Sequence, residues 1–104
     1  MEISERDWNL FKEKIPTWQE NYIMKLNKTY RDILQSDSNP SEIFWKLEKQ
    51  INIDKKRTGV IADMRRSMLV ANILSLLADG AIDFADLSEF SDELKERLRI
   101  FLKL

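Results

Sequence analysis

A chain of 104 residues that is 43% hydrophobic, with two glycines and two prolines, is long enough to bury one core and too short for two, so it reads as a single domain over 1–104. Cysteine and histidine are both absent, which excludes disulfides, thiolate or imidazole metal sites, cysteine nucleophiles and histidine-dependent triads. The 17 basic residues against 18 acidic ones leave a net charge of −1, the balance of interspersed solvated helix faces rather than of a field built for DNA.

The start MEISERDW has no basic stretch followed by an apolar core, so no secretory signal is expected. Instead Ser4 with Asp7 three residues later has the pattern of a capping box, and Ile3 is placed to staple onto Trp8. From there Trp8, Phe11, Ile15, Trp18, Tyr22, Leu26, Tyr30 and Ile33 step by three or four, a single stripe at helical period. Pro16 interrupts the stripe without shifting its phase. Because an interior proline removes a hydrogen bond and crowds the preceding turn at ~3 kcal/mol, the expectation is two collinear segments, about 4–15 and about 17–35, with Thr17 and Glu20 as a restart cap.

SDSNPSE reads as a loop, with Asn39 and Pro40 as the cap and first residue of the next helix. Ile43, Phe44, Leu47 and Ile51 share one face, expected to point inward, and Trp45 lies off it. Lys55, Lys56, Arg57 and Thr58 form a charged connection to Gly59. A further helix is expected over about 60–78, apolar almost all round from Leu69 to Leu77 and therefore central. Its apolar-rich run, Met68 to Ala78, is broken by Asn72 and Ser75 and is about half of the ~20 residues a bilayer span requires.

The stretch LLADGAIDFADLSEF has the DG-x-I-D-F look of the second half of a calcium loop. With Gly80 at the loop glycine, however, position 1 falls on Ser75, position 3 on Leu77 and position 12 on Asp86, too few hard oxygens for calcium. The pattern fits a helix-to-helix corner better: a C-terminal stop at Gly80, Ile82 folding back, and Asp83 with Asp86 capping the next helical turn. A short turn near Phe84 to Glu89 then leads to Ser91, the cap of a last helix to about Lys103 with Leu94, Leu98, Phe101 and Leu102 inward. The fold class is all-α: a compact bundle of five to six helices around the central hydrophobic helix at about 60–78.

WNLFKEKIPTWQENY, NPSEIFWKLE and LSEFSDELK resemble stretches of short uncharacterised bacterial all-helical proteins of about this length, over most of the chain. The resemblance implies a compact bacterial cytoplasmic protein and carries over no activity, cofactor or functional residue. Transporter-like labels attached to some of that group conflict with the lack of a membrane span in this sequence.

Among candidate surface residues, Trp8 and Trp18 belong to the stripe and read as core. Trp45 does not, and it divides evenly between filling a second inter-helix groove and standing at a partner surface, where tryptophan is enriched. Lys55, Lys56, Arg57, Arg65 and Arg66 are the one local concentration of positive charge, able to meet a few phosphates if they converge; Asp54 and Asp63 interrupt it. Asp79, Asp83, Asp86, Glu89, Asp92 and Glu93 sit where turns and helix starts want acids, and the serines have no histidine to activate them. The sequence therefore favours a non-enzymatic interaction module, self-associating as a homodimer or binding another protein, with no cofactor, metal or membrane. The alternative is a nucleic-acid-associated accessory protein using the patch at 55–66.

Overall fold

The computed structural model describes residues 2–103. Among these the chain forms four α-helices, α1 (Glu5–Leu34), α2 (Pro40–Asp54), α3 (Leu69–Ala78) and α4 (Asp92–Leu102), with 3-10 turns at Arg66–Met68 and Phe84–Leu87. The fold is all-α, as the helical periodicities require, but with four α-helices in place of the five to six expected.

Two changes account for the difference. First, α1 is one helix of 30 residues that continues unbroken through Pro16. The Ser4 hydroxyl accepts from the Asp7 amide at 3.1 Å and caps the helix, but the expected box does not close, because the Asp7 carboxylate is taken by Ser91. The buried stripe Phe11, Ile15, Trp18 and Tyr22 passes Pro16 without a break while the proline itself lies exposed. Packing on both sides of the proline holds the helix together where local cost alone would have ended it. Second, the helix expected over about 60–78 forms only from Leu69. Residues 61–65 are an irregular strap, and the Asn72 side-chain amide donates to the Asp63 carbonyl at 2.9 Å, tying the strap down against the first turns of α3.

Along α3, Leu69, Ile73 and Leu76 are fully buried while Ala71, Ser75 and Ala78 are exposed, so the helix is central without being enclosed on every side. Its end is a Schellman motif: Gly80 has φ +71, its amide bonds the Leu77 carbonyl at 3.2 Å, and the Ala81 amide reaches the Leu76 carbonyl at 2.9 Å. Ile82 folds back into the core. The Asp83 side chain accepts from the Asp86 amide at 3.3 Å, and the Asp86 carboxylate accepts from the Asp83 amide at 2.9 Å, a reciprocal capping box. The DG-x-I-D-F stretch is thus a corner whose carboxylates are occupied by backbone amides. Ser91 caps α4, and Leu94 and Leu98 are buried beneath it. Phe101, expected inward, is instead 57% exposed, while Leu102 beside it is half-buried.

Phe11, Ile15, Trp18, Leu69, Ile73, Leu76, Leu87, Phe90, Leu94 and Leu98 make the main part of the core. It stops at Trp18, and beyond it α1 pairs mainly with α2; its ties to the rest of the chain include the packing of Tyr22 on Gly59 and the bond from Lys25 Nζ to the Gly80 carbonyl at 3.4 Å. The result is a body with a two-helix arm. The molecule measures 52 × 26 × 18 Å with a radius of gyration of 16.4 Å, where a compact chain of this length would have about 13 Å. The compact bundle expected from the sequence is replaced by an elongated one. No helix among the described residues is long and apolar enough to cross a membrane.

Candidate functional site

The arm begins where Tyr22 lies against Gly59. A methyl group at that glycine would stand 2.3 Å from Tyr22 Cδ2 and 2.7 Å from Cγ, so only glycine admits the ring at this distance. Just beyond, a polar cluster fixes the end of α2. Asp54, 2% exposed, accepts from the Tyr30 hydroxyl at 2.6 Å, from Gln50 Nε2 at 3.2 Å and from Arg57 Nε at 3.0 Å. The same guanidinium donates through Nη1 to Asp79 at 3.0 Å, joining the end of α2 to the end of α3. Burial alone would raise the Asp54 pKa, but the hydrogen bonds from Tyr30, Arg57 and Gln50 outweigh it and hold the carboxyl below its ordinary value of 3.8. The Tyr30 hydroxyl is pushed far above the ordinary 10.0, by burial first and by its bond to a carboxylate second.

Anchored in this way, α2 presents Ile43, Leu47, Gln50 and Asp54 toward α1, all half-buried or buried. These positions, three and four apart, form one narrow stripe. Phe44 and Ile51, which periodicity places on the inward face, are 61% and 41% exposed. The reason is that α2 packs mainly on one helix, α1, and one helix covers only a strip of its neighbour. Trp45 is 63% exposed and its ring meets that of Phe44 edge-on, centroids 5.0 Å apart. Phe44 and Trp45 therefore form one apolar patch on the outside of the arm, and Ile51 a second exposed apolar position two turns further on, with the exposed Glu48 between them. Of the two readings open to Trp45, the groove-filling one is not what the structure contains.

The charged candidates scatter. Arg57 is committed to Asp54 and Asp79, Arg65 grips Asp63 at 2.5 Å, and Arg66 donates to the Ile3 carbonyl. Of the five, Lys55 and Lys56 alone have a side chain with neither hydrogen bond nor ion pair among the described residues, and both stand exposed at the C-terminal end of α2 where the helix dipole favours cations. Most of the acids are likewise engaged: Glu89 takes Lys14 at 2.9 Å and Asp92 takes Lys95 at 3.4 Å. Among the described residues, no three acidic side chains converge where a metal ion could sit.

No protein-family model, curated protein or solved structure matches this chain. The chemistry open to the surface therefore rests on its own geometry.

Sequence alone does not reveal the Asp54 cluster, because Asp54 figures there only as a charge interrupting a basic run. Its signal is present in the i−4 Gln50 and the i+3 Arg57, a helical spacing around one carboxylate. Tyr30 cannot be added from sequence, because its approach depends on how α1 and α2 fold back on each other.

Proposed function

We propose that this protein is a non-enzymatic helical interaction module whose docking surface is the outer face of α2. One observation carries the reading: two large aromatic rings, Phe44 and Trp45, packed on each other at 5.0 Å and each more than 60% exposed. A solvated helix face made only for solubility would not place its two largest apolar side chains together in water. Adjacent aromatics of this kind are the usual anchors of protein interfaces. Covering the exposed part of both rings would remove roughly 280 Å² of apolar surface, on the order of 7 kcal/mol before the costs of association are subtracted. The cluster around Asp54 supports the same reading, since a firmly held helix presents its anchors at little entropic cost. The nucleic-acid alternative has less behind it, with Arg57, Arg65 and Arg66 occupied within the chain.

The test is a photo-reactive phenylalanine analogue placed at Trp45 in the full chain, with Glu13 on the exposed side of α1 as the control position. Discrete protein adducts are expected from position 45 and not from position 13. Excess wild-type protein should compete for them, and excess Phe44→Ala/Trp45→Ala protein should not. An absence of competable adducts at position 45 would defeat the proposal.

A further inference from the structure

The geometry points to a second copy of this chain as the occupant of the surface, with the two α2 helices antiparallel across a two-fold axis near Leu47 and Glu48. This inference rests on the interaction-module reading and names its partner.

Charge sets the orientation. At the tip of the arm, Asp37 and Glu42 are exposed; Asp37 has no ion-pair partner among the described residues, and Glu42 meets only the Asn39 amide at 3.4 Å. At the other end, Lys55 and Lys56 are exposed and equally unpaired. The helix is thus acidic at its start and basic at its end. Parallel association would set like charges against each other, whereas antiparallel association sets each acidic tip against a basic base and also opposes the helix dipoles.

The apolar surface fits the same symmetry. Phe44 and Ile51 lie two helical turns apart on one stripe. A two-fold axis midway between them brings Phe44 of each copy against Ile51 of the other, the reciprocal contact an isologous interface demands. That register places Lys55 and Lys56 opposite residues 39 and 40 of the second copy, between its Asp37 and Glu42. The apolar spacing and the charges at the two helix ends therefore agree on one register, in which Glu48 of each copy, held by the Asn52 amide at 2.6 Å, stands beside its mate at the axis.

The area is also of the right size. The uncovered parts of Phe44, Trp45 and Ile51 come to roughly 350 Å² per copy, so about 700 Å² for two. An interface at the lower end of stable pairs buries about 1,200 Å² in total, a little over half of it apolar. The match requires no other apolar side chain, although Leu34 at the arm's tip is also 57% exposed.

Sedimentation of the full chain from about 1 to 500 µM tests the inference. The expected result is a monomer–dimer equilibrium. Phe44→Ala/Trp45→Ala should weaken it at least about tenfold, and so should Lys55→Glu/Lys56→Glu, by turning rim attraction into repulsion. Adding Asp37→Lys/Glu42→Lys to the second variant restores charge complementarity and should recover most of the wild-type dissociation constant. In a parallel dimer these reversals would change little, since both ends would remain like against like. Every substituted residue is exposed, and unchanged helical circular dichroism confirms folding. The chain also lacks cysteine, so Glu48→Cys gives an independent readout that uses none of these variants: rapid disulfide-linked dimer on oxidation, absent for Glu13→Cys. Monomer at 500 µM, charge reversal without effect, or failure of the fourfold variant to recover would each overturn the antiparallel pair. If position 45 cross-links only to a different protein while the chain sediments as monomer, the inference fails and the interaction reading stands.

Discussion

Asp7 and Ser91 are 84 positions apart and share two hydrogen bonds: the Ser91 amide donates to Asp7 Oδ1 at 2.9 Å, and the Ser91 hydroxyl donates to Oδ2 at 2.5 Å. The same hydroxyl accepts from the Leu94 amide at 3.2 Å. One carboxylate in the first turn of α1 thus holds in place the residue that caps α4, and it does so from a site only 1% exposed. Arg6 adds a bond to the Glu89 carbonyl at 2.6 Å beside it. The body is closed here by polar contacts laid over the apolar core.

Removing this carboxylate should be costly, because it strands buried donors rather than merely deleting a contact. Asp7→Ala is expected to lower stability by about 2–4 kcal/mol, and Ser91→Ala by about 1–2 kcal/mol through loss of the cap. Asp7→Asn should fall between, since an amide retains one acceptor oxygen. Urea unfolding with a constant slope measures all three, and an Asp7→Ala loss under about 0.5 kcal/mol would contradict the role.

The cluster at the base of the arm predicts how stability depends on pH. Asp54 is held below its ordinary 3.8 in the folded chain, so its contribution is present above the unfolded pKa and is lost as pH falls through the lower folded value. Tyr30 is raised above its ordinary 10.0; its contribution is complete below about pH 10 and is lost as pH rises beyond it. Stability should therefore be flat between about pH 5 and 9 as far as this pair is concerned, and fall on either side. Tyr30→Phe removes a charge-assisted bond to a buried carboxylate, with an expected loss of about 1–3 kcal/mol at pH 7. It should also flatten the alkaline limb. A Tyr30→Phe variant whose alkaline limb matches the wild type would show that another group governs it.

Gly59 makes a third expectation. Its φ is not in the left-handed region, so the demand for glycine comes from the Tyr22 ring and not from backbone strain. Gly59→Ala should destabilise by about 1–3 kcal/mol, the usual range for overpacking a fixed site. If the clash is with the ring, Tyr22→Ala should remove the penalty of the second substitution in a double-mutant cycle. A purely additive cycle would locate the strain elsewhere.

The parts legible in the sequence are those encoded locally. The Ser4 and Ser91 caps, the Schellman stop at Gly80 and the Asp83–Asp86 box each depend on residues within five positions of each other, and all four form, although the Asp7 half of the Ser4 box does not. Phe44 and Ile51 show where such reading ends. Periodicity groups apolar residues onto one face, but it does not say whether another element exists to cover that face. The same limit applies between Val60 and Met68, where apolar residues at helical spacing give an irregular strap over 61–65, tied by Asn72, and a 3-10 turn at Arg66–Met68 in place of α-helix. Trp45 is an outlier on its helix in sequence only; in the structure Phe44 is exposed beside it.

Pro16 supplies the last expectation. The helix continues across it, so the Lys12 carbonyl lacks the amide partner that any other residue at 16 would provide. The side chain at 16 is exposed, and nothing in the core has to move to accommodate an alanine. Pro16→Ala would restore that hydrogen bond and relieve the crowding in the preceding turn, worth up to ~3 kcal/mol in helix terms. Part of the gain is offset because the unfolded chain recovers the freedom that proline denies it, about 1 kcal/mol. The net expectation is a stabilisation of about 1–2 kcal/mol, a rise in thermal midpoint of about 4–8 °C for a domain of this size. If the proline instead sets a bend that aims the arm away from the body, the substitution would strain the contacts on both sides of residue 16, Ile15 and Trp18 in the body and Tyr22 beside Gly59. A loss of stability in place of the gain would therefore identify Pro16 as the residue that fixes the direction of the arm.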